Sequence, residues 1–306
     1  MPRADRLNAS PTLRWQTARV RIRIDLAYDG TDFHGWAAQP GLRTVQGDLE
    51  AALSVALRQP RVGVVCAGRT DTGVHARGQV VHLDVDGAVV AGSAGRSQNP
   101  PLEALVRRLN GILRPDVRVR RAVVAPAGFD ARFSALWRRY AYRVADDPAV
   151  VDPLTRNHVL VWSKPLDLQA MNEAAGLFLG EHDFASFCRR REGATTIRTL
   201  QDLQWVREPN GVAVATVRAD AFCHSMVRAL VGCLLAIGDG RRPVAWAGEV
   251  LRATRRDPSV TVAHAHGLTL EQVAYPADEG LAHRADVTRA RRVATGMSDA
   301  EGDGDG

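Results

Sequence analysis

The sequence predicts an α+β protein in which two related α/β halves form a mainly antiparallel sheet. Strands with a two-residue apolar period alternate with amphipathic helices, and the order of these elements in the first half returns in the second. The residues of the halves do not visibly repeat, so the likeness is one of element order. We expect a flexible lead-in over residues 1–17, halves over 18–130 and 131–275, and a flexible polar and acidic tail over 276–306.

In the first half, RVRIRIDLAYD places apolar residues at every second position, which predicts a half-buried strand. A helix is predicted over Val45–Leu57, because its apolar residues share one stripe. The apolar runs VGVVCAG and GQVVHLDV predict two strands on either side of a glycine-rich segment. A helix over Leu102–Leu113 and a strand over Val117–Val124 complete this half.

The second half begins with WRRYAYRVA, which predicts a strand, and LDLQAMNEAAGLFLG, which predicts a helix ending on Gly180. The Pro-Asn-Gly sequence at 209–211 predicts a hairpin turn between RTLQDLQWVRE and GVAVATVRA. CHSMVRALVGCLLAIGDG predicts a long apolar helix. The loop Ala91–Pro101 and everything past Pro276 are polar and rich in glycine or proline, which predicts flexibility.

The charge of the chain favours a polyanionic partner. Its net charge is +6, and because the last ten residues hold four acidic side chains and no basic one, the rest of the chain carries +10. Lys164 is the one lysine among 40 basic residues. Arginine suits nucleic acid, because its guanidinium pairs with phosphate at two points and stacks on bases. Codon usage in a GC-rich genome is the alternative explanation of the arginine excess.

Other patterns exclude several classes. No apolar run approaches the roughly 20 residues of a membrane-spanning helix, and the start of the chain lacks the apolar core of a secretory signal, so we expect a cytoplasmic protein. The four cysteines form no close CxxC pair, so zinc is not expected and disulfides are not implied. The histidines His34, His75, His182 and His224 do not group with acidic residues at metal-ligand spacing, so no metal site is predicted.

The segment CAGRTDTGVHARGQVVHLDV, residues 66–85, places a single acid, Asp71, in a turn between two apolar strands. Gly68 and Gly73 allow the backbone to bend tightly there. A carboxylate in such a turn is often structural and accepts backbone N–H groups. The residues alone therefore leave a structural and a catalytic interpretation of Asp71 open.

This segment resembles the signature GRTDxGVHAxGQ of the TruA family of transfer-RNA pseudouridine synthases. Other segments agree with the family in the same order: YDGTDFHGW followed by VQG–LE–AL, LNGILRPD, FDARFSALWRRYAY, GEHDFASF and FCHSMVRALVGCLLAIGDG. Together they span roughly Val20 to Leu270. Three positions depart from the family pattern. Thr72 replaces an alanine, Ala37 a glutamine, and Ser225 a larger polar or basic residue, often histidine.

The resemblance implies the pseudouridine-synthase fold, with two ferredoxin-like halves around a central basic cleft. It implies isomerisation of uridine to pseudouridine at positions 38, 39 and 40 of the anticodon arm of tRNA, by base flipping. It also implies a homodimer that shares one tRNA between its subunits. The reaction breaks the N1–C1′ bond, turns the base over and joins C5 to C1′ without redox change, so no cofactor is expected.

The resemblance makes Asp71 the essential carboxylate. Attack at C1′, addition at C6 of the base and abstraction of the 2′ proton are three roles open to it. Arg69, which a strand-like segment would place on the same face as Asp71, is implied to fill the stack when the base flips out. A surface ion pair is the alternative role of Arg69.

The resemblance also implies that Tyr140 lies under the target base and that Arg228 pairs with Asp71. Spacing alone does not distinguish Tyr140 from Tyr142, because both lie on one face of their strand. For Arg228, the alternative is a position on the solvent side of its helix.

Two other functions are consistent with parts of this pattern. An RNA-binding module without catalysis needs arginines and aromatic residues, but it needs neither Asp71 nor Arg228, so the presence of both favours an enzyme. A synthase of the same family directed at other RNA positions is the second alternative. A pseudouridine map of cellular RNA with and without the protein distinguishes them.

Overall fold

The computed structural model describes residues 18–189 and 195–294, and its strands form one sheet. The strands of these residues are β1 (Arg19–Tyr28), β2 (Val65–Cys66), β3 (His75–Asp86), β4 (Val117–Val124), β5 (Trp137–Ala145), β6 (Leu160–Val161), β7 (Gly180–Asp183), β8 (Ile197–Arg207), β9 (Ala213–Ala219) and β10 (Leu268–Ala274). Their order is β4-β1-β3-β10-β5-β9-β8-β7, with β2 beside β3 and β6 beside β5. The described pairs are antiparallel except β3–β10 and β5–β6, which confirms the predicted mixed, mainly antiparallel sheet.

The helices that accompany this sheet are α1 (Val45–Leu57), α2 (Gly87–Ser93), α3 (Pro101–Ile112), α4 (Leu168–Gly176), α5 (Met226–Gly238), α6 (Ala245–Arg252) and α7 (Leu281–Ala294). Helix α1 has its predicted bounds and begins after Thr44, whose hydroxyl accepts from the backbone N–H of Gly47 at 3.2 Å. Helix α3 opens on Pro101, a residue suited to the first turn. In the described part of the chain, no helix is both long and apolar enough to cross a membrane.

Strand β10 joins the two halves of the sheet. It pairs in parallel with β3 at His75–Ala76 and antiparallel with β5. Strand β2 occupies the same edge of β3 further along, at Val81–His82. The loop between β2 and β3 therefore leaves the sheet where its two halves meet. One hydrophobic core cluster contains residues of both halves, and the division near residue 130 stays a prediction.

The structure corrects three predictions about helices and flexible segments. Helix α4 ends at Gly176 rather than at Gly180, and Gly180, with φ +100°, opens β7. Residues 281–294, predicted to be flexible, form α7, which buries Leu281 and Ala285. The predicted loop Ala91–Pro101 begins inside α2. The predicted lead-in and the acidic residues of the tail lie outside the described residues.

Candidate active site

Asp71 lies in the loop between β2 and β3, and buried polar side chains hold the backbone of that loop. Gln79 is fully buried and donates through Nε2 to the carbonyl oxygen of Gly68 at 2.8 Å. The hydroxyls of Tyr28 and Thr70 lie 2.7 Å apart in a buried hydrogen bond. Because these bonds hold two of the three residues before Asp71, the backbone position of the acid is fixed by the fold.

The segment YDGTDFHGW packs directly against this loop. Gly35 has φ +89°, and a Cβ atom there would lie 2.9 Å from the carbonyl oxygen of Thr70 and 3.3 Å from the carbonyl carbon of Asp71. The next residue, Trp36, donates its backbone N–H to the same oxygen of Thr70 at 3.0 Å. This close approach of the two backbones requires glycine at position 35, so the motif helps to fix the position of the loop that carries Asp71.

The carboxylate of Asp71 is approached by donors from α5 and from the segment that precedes this helix. Arg228 Nη1 lies 3.4 Å from Oδ2, and Ser225 Oγ donates to the same oxygen at 3.2 Å. His224 Nε2 lies 3.5 Å from Oδ1. The side chain of Asp71 remains 25% exposed. A cation and a hydroxyl therefore orient one oxygen, while the carboxylate stays accessible to a substrate.

Ser225 adopts an unusual backbone conformation at this point. Its φ of +62° places it in the left-handed region, and its side chain makes no N-cap hydrogen bond to α5 because it turns to Asp71. The helix predicted from Cys223 onward therefore begins at Met226. Strained residues of this kind cluster at functional sites. Sequence reasoning noted Ser225 only as a departure from the family pattern and assigned His224 no role.

Arg228 is held against the segment that precedes β10. Its Nε donates to the carbonyl oxygen of Ala263 at 2.7 Å, and the backbone N–H of Ala263 donates to the carbonyl oxygen of Arg228 at 3.0 Å. One turn later, a Cβ atom at Gly232 would lie 1.7 Å from the carbonyl oxygen of Thr261, so this segment lies directly on α5. The side chain of Arg228 is 20% exposed, so it does not lie on the solvent side of the helix, which was the alternative position.

The two tyrosines of β5 have different surroundings. Tyr142 is fully buried and its hydroxyl donates to the carbonyl oxygen of His264 at 2.8 Å, which is a structural contact. Tyr140 packs edge-on against Phe222, with ring centroids 5.2 Å apart. Burial, and secondarily the negative charge of Asp71, raise the pKa of the Tyr140 hydroxyl. Of the two, only the Tyr140 hydroxyl has its pKa raised by the charge of Asp71 in addition to burial.

Arg69 is exposed in the loop, two residues before Asp71. Residues 67–74 form a loop rather than a strand, so the strand geometry behind the predicted common face of Arg69 and Asp71 does not apply. A second exposed arginine, Arg189, lies nearby, and its backbone N–H donates to the carbonyl oxygen of His224 at 3.1 Å. Two exposed arginines therefore belong to the backbone segments around the carboxylate.

Cys188 and Cys223 form a disulfide, with their Cα atoms 5.7 Å apart. Sequence reasoning did not imply a disulfide, because it searched for close pairs and these cysteines are 35 residues apart. The bond joins Cys188, the residue that follows GEHDFASF, to Cys223, the residue before His224. Phe184 and Phe187 of that motif are buried core residues, so the motif supports the segment that contacts Asp71.

The arrangement suits nucleophilic or base chemistry on a ring-bearing substrate. Asp71 supplies an oriented and partly exposed carboxylate, and the buried aromatic ring of Tyr140 lies within electrostatic range of it. Across residues 18–189 and 195–294, no group of three or more histidine, cysteine, aspartate or glutamate side chains is placed to hold a metal ion.

The chain is similar to known proteins over most of its length. The family model described as tRNA pseudouridine synthase matches residues 174–276. A curated relative from Streptomyces griseus subsp. griseus, named tRNA pseudouridine synthase A, is 62% identical over 278 residues, covering 90% of this chain and 94% of the relative. Relatives of the same name from Frankia casuarinae and Mycobacterium leprae are 59% and 51% identical, covering 90% and 89% of this chain and 96% of each relative.

A solved Cbf5-Nop10-Gar1 complex matches at 11% identity with a TM-score of 0.32, covering 74% of this chain and 47% of that chain, which is too distant to carry an argument. The relatives confirm the resemblance that the sequence motifs indicate. The chain therefore belongs to the tRNA pseudouridine synthase A family of isomerases.

Proposed function

We propose that this isomerase converts uridine to pseudouridine at positions 38, 39 and 40 of the anticodon arm of tRNA, with Asp71 as the essential carboxylate. The observation that carries the proposal is the environment of Asp71. Its Oδ2 accepts from Arg228 and Ser225, while its side chain stays partly exposed. The names of the curated relatives support tRNA as the substrate.

The reaction needs a carboxylate but no external reagent. The N1–C1′ bond breaks, the C5–C1′ bond forms, C5 loses its hydrogen and N1 ends with one, so atoms and electrons balance within the nucleotide. Arg228 and Ser225 fix the orientation of the Asp71 carboxylate through Oδ2, and we assign Oδ1, which His224 Nε2 approaches to 3.5 Å, to the contact with the substrate. Preorganised groups of this kind require no rearrangement at the moment of reaction.

The target nucleotide reaches Asp71 by flipping out of the RNA stack. Tyr140 offers its ring to the flipped base, and stacking on an aromatic side chain is worth about 1–3 kcal/mol per base. Arg69, which is exposed in the Asp71 loop, fills the space that the base leaves. Support for both roles comes from the family resemblance and from the position of the two residues around Asp71.

RNA recognition rests on shape and backbone contacts. Reaction at three neighbouring positions requires that the enzyme does not read one base sequence. The exposed guanidinium groups of Arg69 and Arg189 suit phosphate contacts near the site, and the net charge of +6 favours tRNA generally. In line with the family resemblance, we propose a cytoplasmic homodimer that contacts one tRNA with both subunits.

The test uses tRNA transcripts that differ only in the anticodon arm. Three transcripts each keep one uridine at position 38, 39 or 40, and a fourth replaces all three with cytidine. We expect pseudouridine at the single uridine of each of the first three transcripts and none in the fourth. Modification of the fourth transcript would indicate a synthase for other positions. Tight binding of all four without any pseudouridine would indicate an RNA-binding module.

A further inference from the structure

Arg138 is a buried cation on β5 that the proposed chemistry does not use. Its side chain is enclosed, with the residue 8% exposed, and burial lowers the pKa of its guanidinium. Among the described residues, no carboxylate forms an ion pair with it. Burying a cation with no carboxylate at ion-pair distance is costly unless other groups stabilise it by accepting its hydrogen bonds.

Three backbone carbonyl groups supply that stabilisation. Arg138 donates through Nε and Nη2 to Ala67 O at 3.3 and 2.8 Å, through Nη2 to Arg132 O at 2.7 Å, and through Nη1 to Asp220 O at 2.8 Å. The three acceptors belong to separate segments: Ala67 directly follows β2, Arg132 precedes β5, and Asp220 directly follows β9. The planar fork of a guanidinium is suited to bridging acceptors that are fixed in different directions.

Two of these segments lead directly into the active site. Ala67 begins the loop that carries Asp71. Asp220 begins the segment whose later residues contact both proposed site residues, Phe222 at the ring of Tyr140 and Ser225 at the carboxylate of Asp71. One guanidinium therefore joins the backbone that carries the acid to the backbone that orients it.

The acceptor at Asp220 is itself rigidly held. Its carboxylate Oδ1 accepts from the backbone N–H groups of Thr199 and Ala221 at 3.0 and 2.7 Å. Arg138 also lies two residues before Tyr140, so the two side chains share one face of β5. Arg138 thus lies at the junction of the Asp71 loop, the Ser225 segment and the Tyr140 strand.

We propose that Arg138 is a positioning residue for the isomerisation: it sets the position of the Asp71 loop relative to the 220–225 segment and does not touch the substrate. The inference rests on the proposed function of Asp71. Its requirement is geometric, because the three carbonyls need donors in three directions. A lysine keeps the charge but offers donors from a single nitrogen, so it cannot span all three acceptors.

The test compares Arg138→Lys with a matched control on the same strand. Arg143 lies on the other face of β5 and pairs with Glu271 at 2.7 Å, with its side chain 14% exposed, so Arg143→Lys is the same change at a half-buried site on the opposite face of the strand. For Arg138→Lys we expect a single-turnover rate at saturating tRNA at least about tenfold lower, with tRNA affinity within about twofold of wild type. Arg143→Lys is expected to keep the wild-type rate.

Hydrogen exchange separates positioning from general stability. For Arg138→Lys we expect faster exchange in both residues 66–74 and residues 219–226, with unchanged exchange in the β1–β4 pair. A wild-type rate for Arg138→Lys would overturn the proposal. So would an increase in exchange throughout the sheet, or a failure to fold, because either result means that the role is structural.

Failure of the proposed function can be distinguished from failure of the proposal for Arg138. If the wild-type protein makes no pseudouridine at the three positions, the proposed function fails whatever the exchange pattern of Arg138→Lys is. If the wild type is active and Asp71→Asn is equally active, the placement of the acid no longer matters and the role of Arg138 falls with it.

Discussion

Changing Arg228 to methionine tests whether the cation beside Asp71 contributes to catalysis. Methionine keeps an apolar side chain at this position of α5, but it removes two hydrogen-bond donors. One is Nη1, 3.4 Å from Asp71 Oδ2, and the other is Nε, 2.7 Å from the carbonyl oxygen of Ala263. We expect the first loss to lower the reaction rate and the second to lower stability.

The size of both effects follows from the geometry. Hydrogen bonds to charged groups contribute about 1.5–3 kcal/mol. The 3.4 Å separation between Arg228 and Asp71 is long for a charge-assisted bond, so we expect about 1.5–2.5 kcal/mol, which is a roughly 10- to 70-fold lower rate. An unpaired carbonyl at Ala263 costs about 1–3 kcal/mol in the free energy of unfolding.

The assay is a single-turnover measurement at saturating tRNA, with circular dichroism to confirm the fold. Arg252→Met is the matched control, because Arg252 is exposed at the end of α6. We expect the control to keep the wild-type rate and Arg228→Lys to recover part of the loss. If Arg228→Met reacts within about twofold of wild type, the cation does not assist Asp71 and the pairing is only structural.

Three further predictions concern the need for a metal or cofactor, the salt dependence of tRNA binding, and the stability of the fold in acid. Activity is expected to survive metal chelation without any added cofactor, and a loss that one specific metal restores would contradict this. Affinity for tRNA is expected to fall steeply as salt rises, and a flat salt response would mean that the arginines reflect codon usage. Removal of residues 297–306, which hold four acidic side chains, is expected to leave the affinity for tRNA equal or slightly higher. The hydrogen bond from Arg207 holds the pKa of the buried Asp146 carboxyl below its usual value, so its contribution to stability is present above about pH 4 and is lost as the pH falls. Asp146→Asn is therefore expected to lower the free energy of unfolding at neutral pH and to weaken its decline in acid, which denaturant titrations at several pH values measure; an unchanged pH dependence would exclude this carboxylate as a contributor.

Elements with strong local signals were predictable from the sequence. The stripe of Val45–Leu57 and the alternation of Val117–Val124 depend only on neighbouring residues, and both elements have the predicted bounds. The central place of β10 was not predicted, because the pairing of distant strands leaves no periodic signal in the chain. Helix α7 was missed because its sequence is polar, and within residues 281–290 only Leu281 and Ala285 are buried.

The candidate site divides in a similar way. Asp71, Tyr140 and Arg228 were named from the family resemblance, since spacing alone left each of them with a structural alternative. The left-handed backbone of Ser225 and the carbonyl contacts of Arg138 were not foreseen. Both depend on segments that are distant in sequence and adjacent in space, so no local sequence pattern predicts them.

The most direct test of the central claim is the release of hydrogen from C5 of uridine by Asp71→Asn. Asparagine keeps the shape of the side chain, but it cannot act as a nucleophile or base. With tRNA that carries tritium at C5 of its uridines, the wild type is expected to release tritium, whereas Asp71→Asn is expected to release none while binding tRNA with near-unchanged affinity. Substantial tritium release by a folded, sequence-verified Asp71→Asn protein would remove Asp71 from the mechanism.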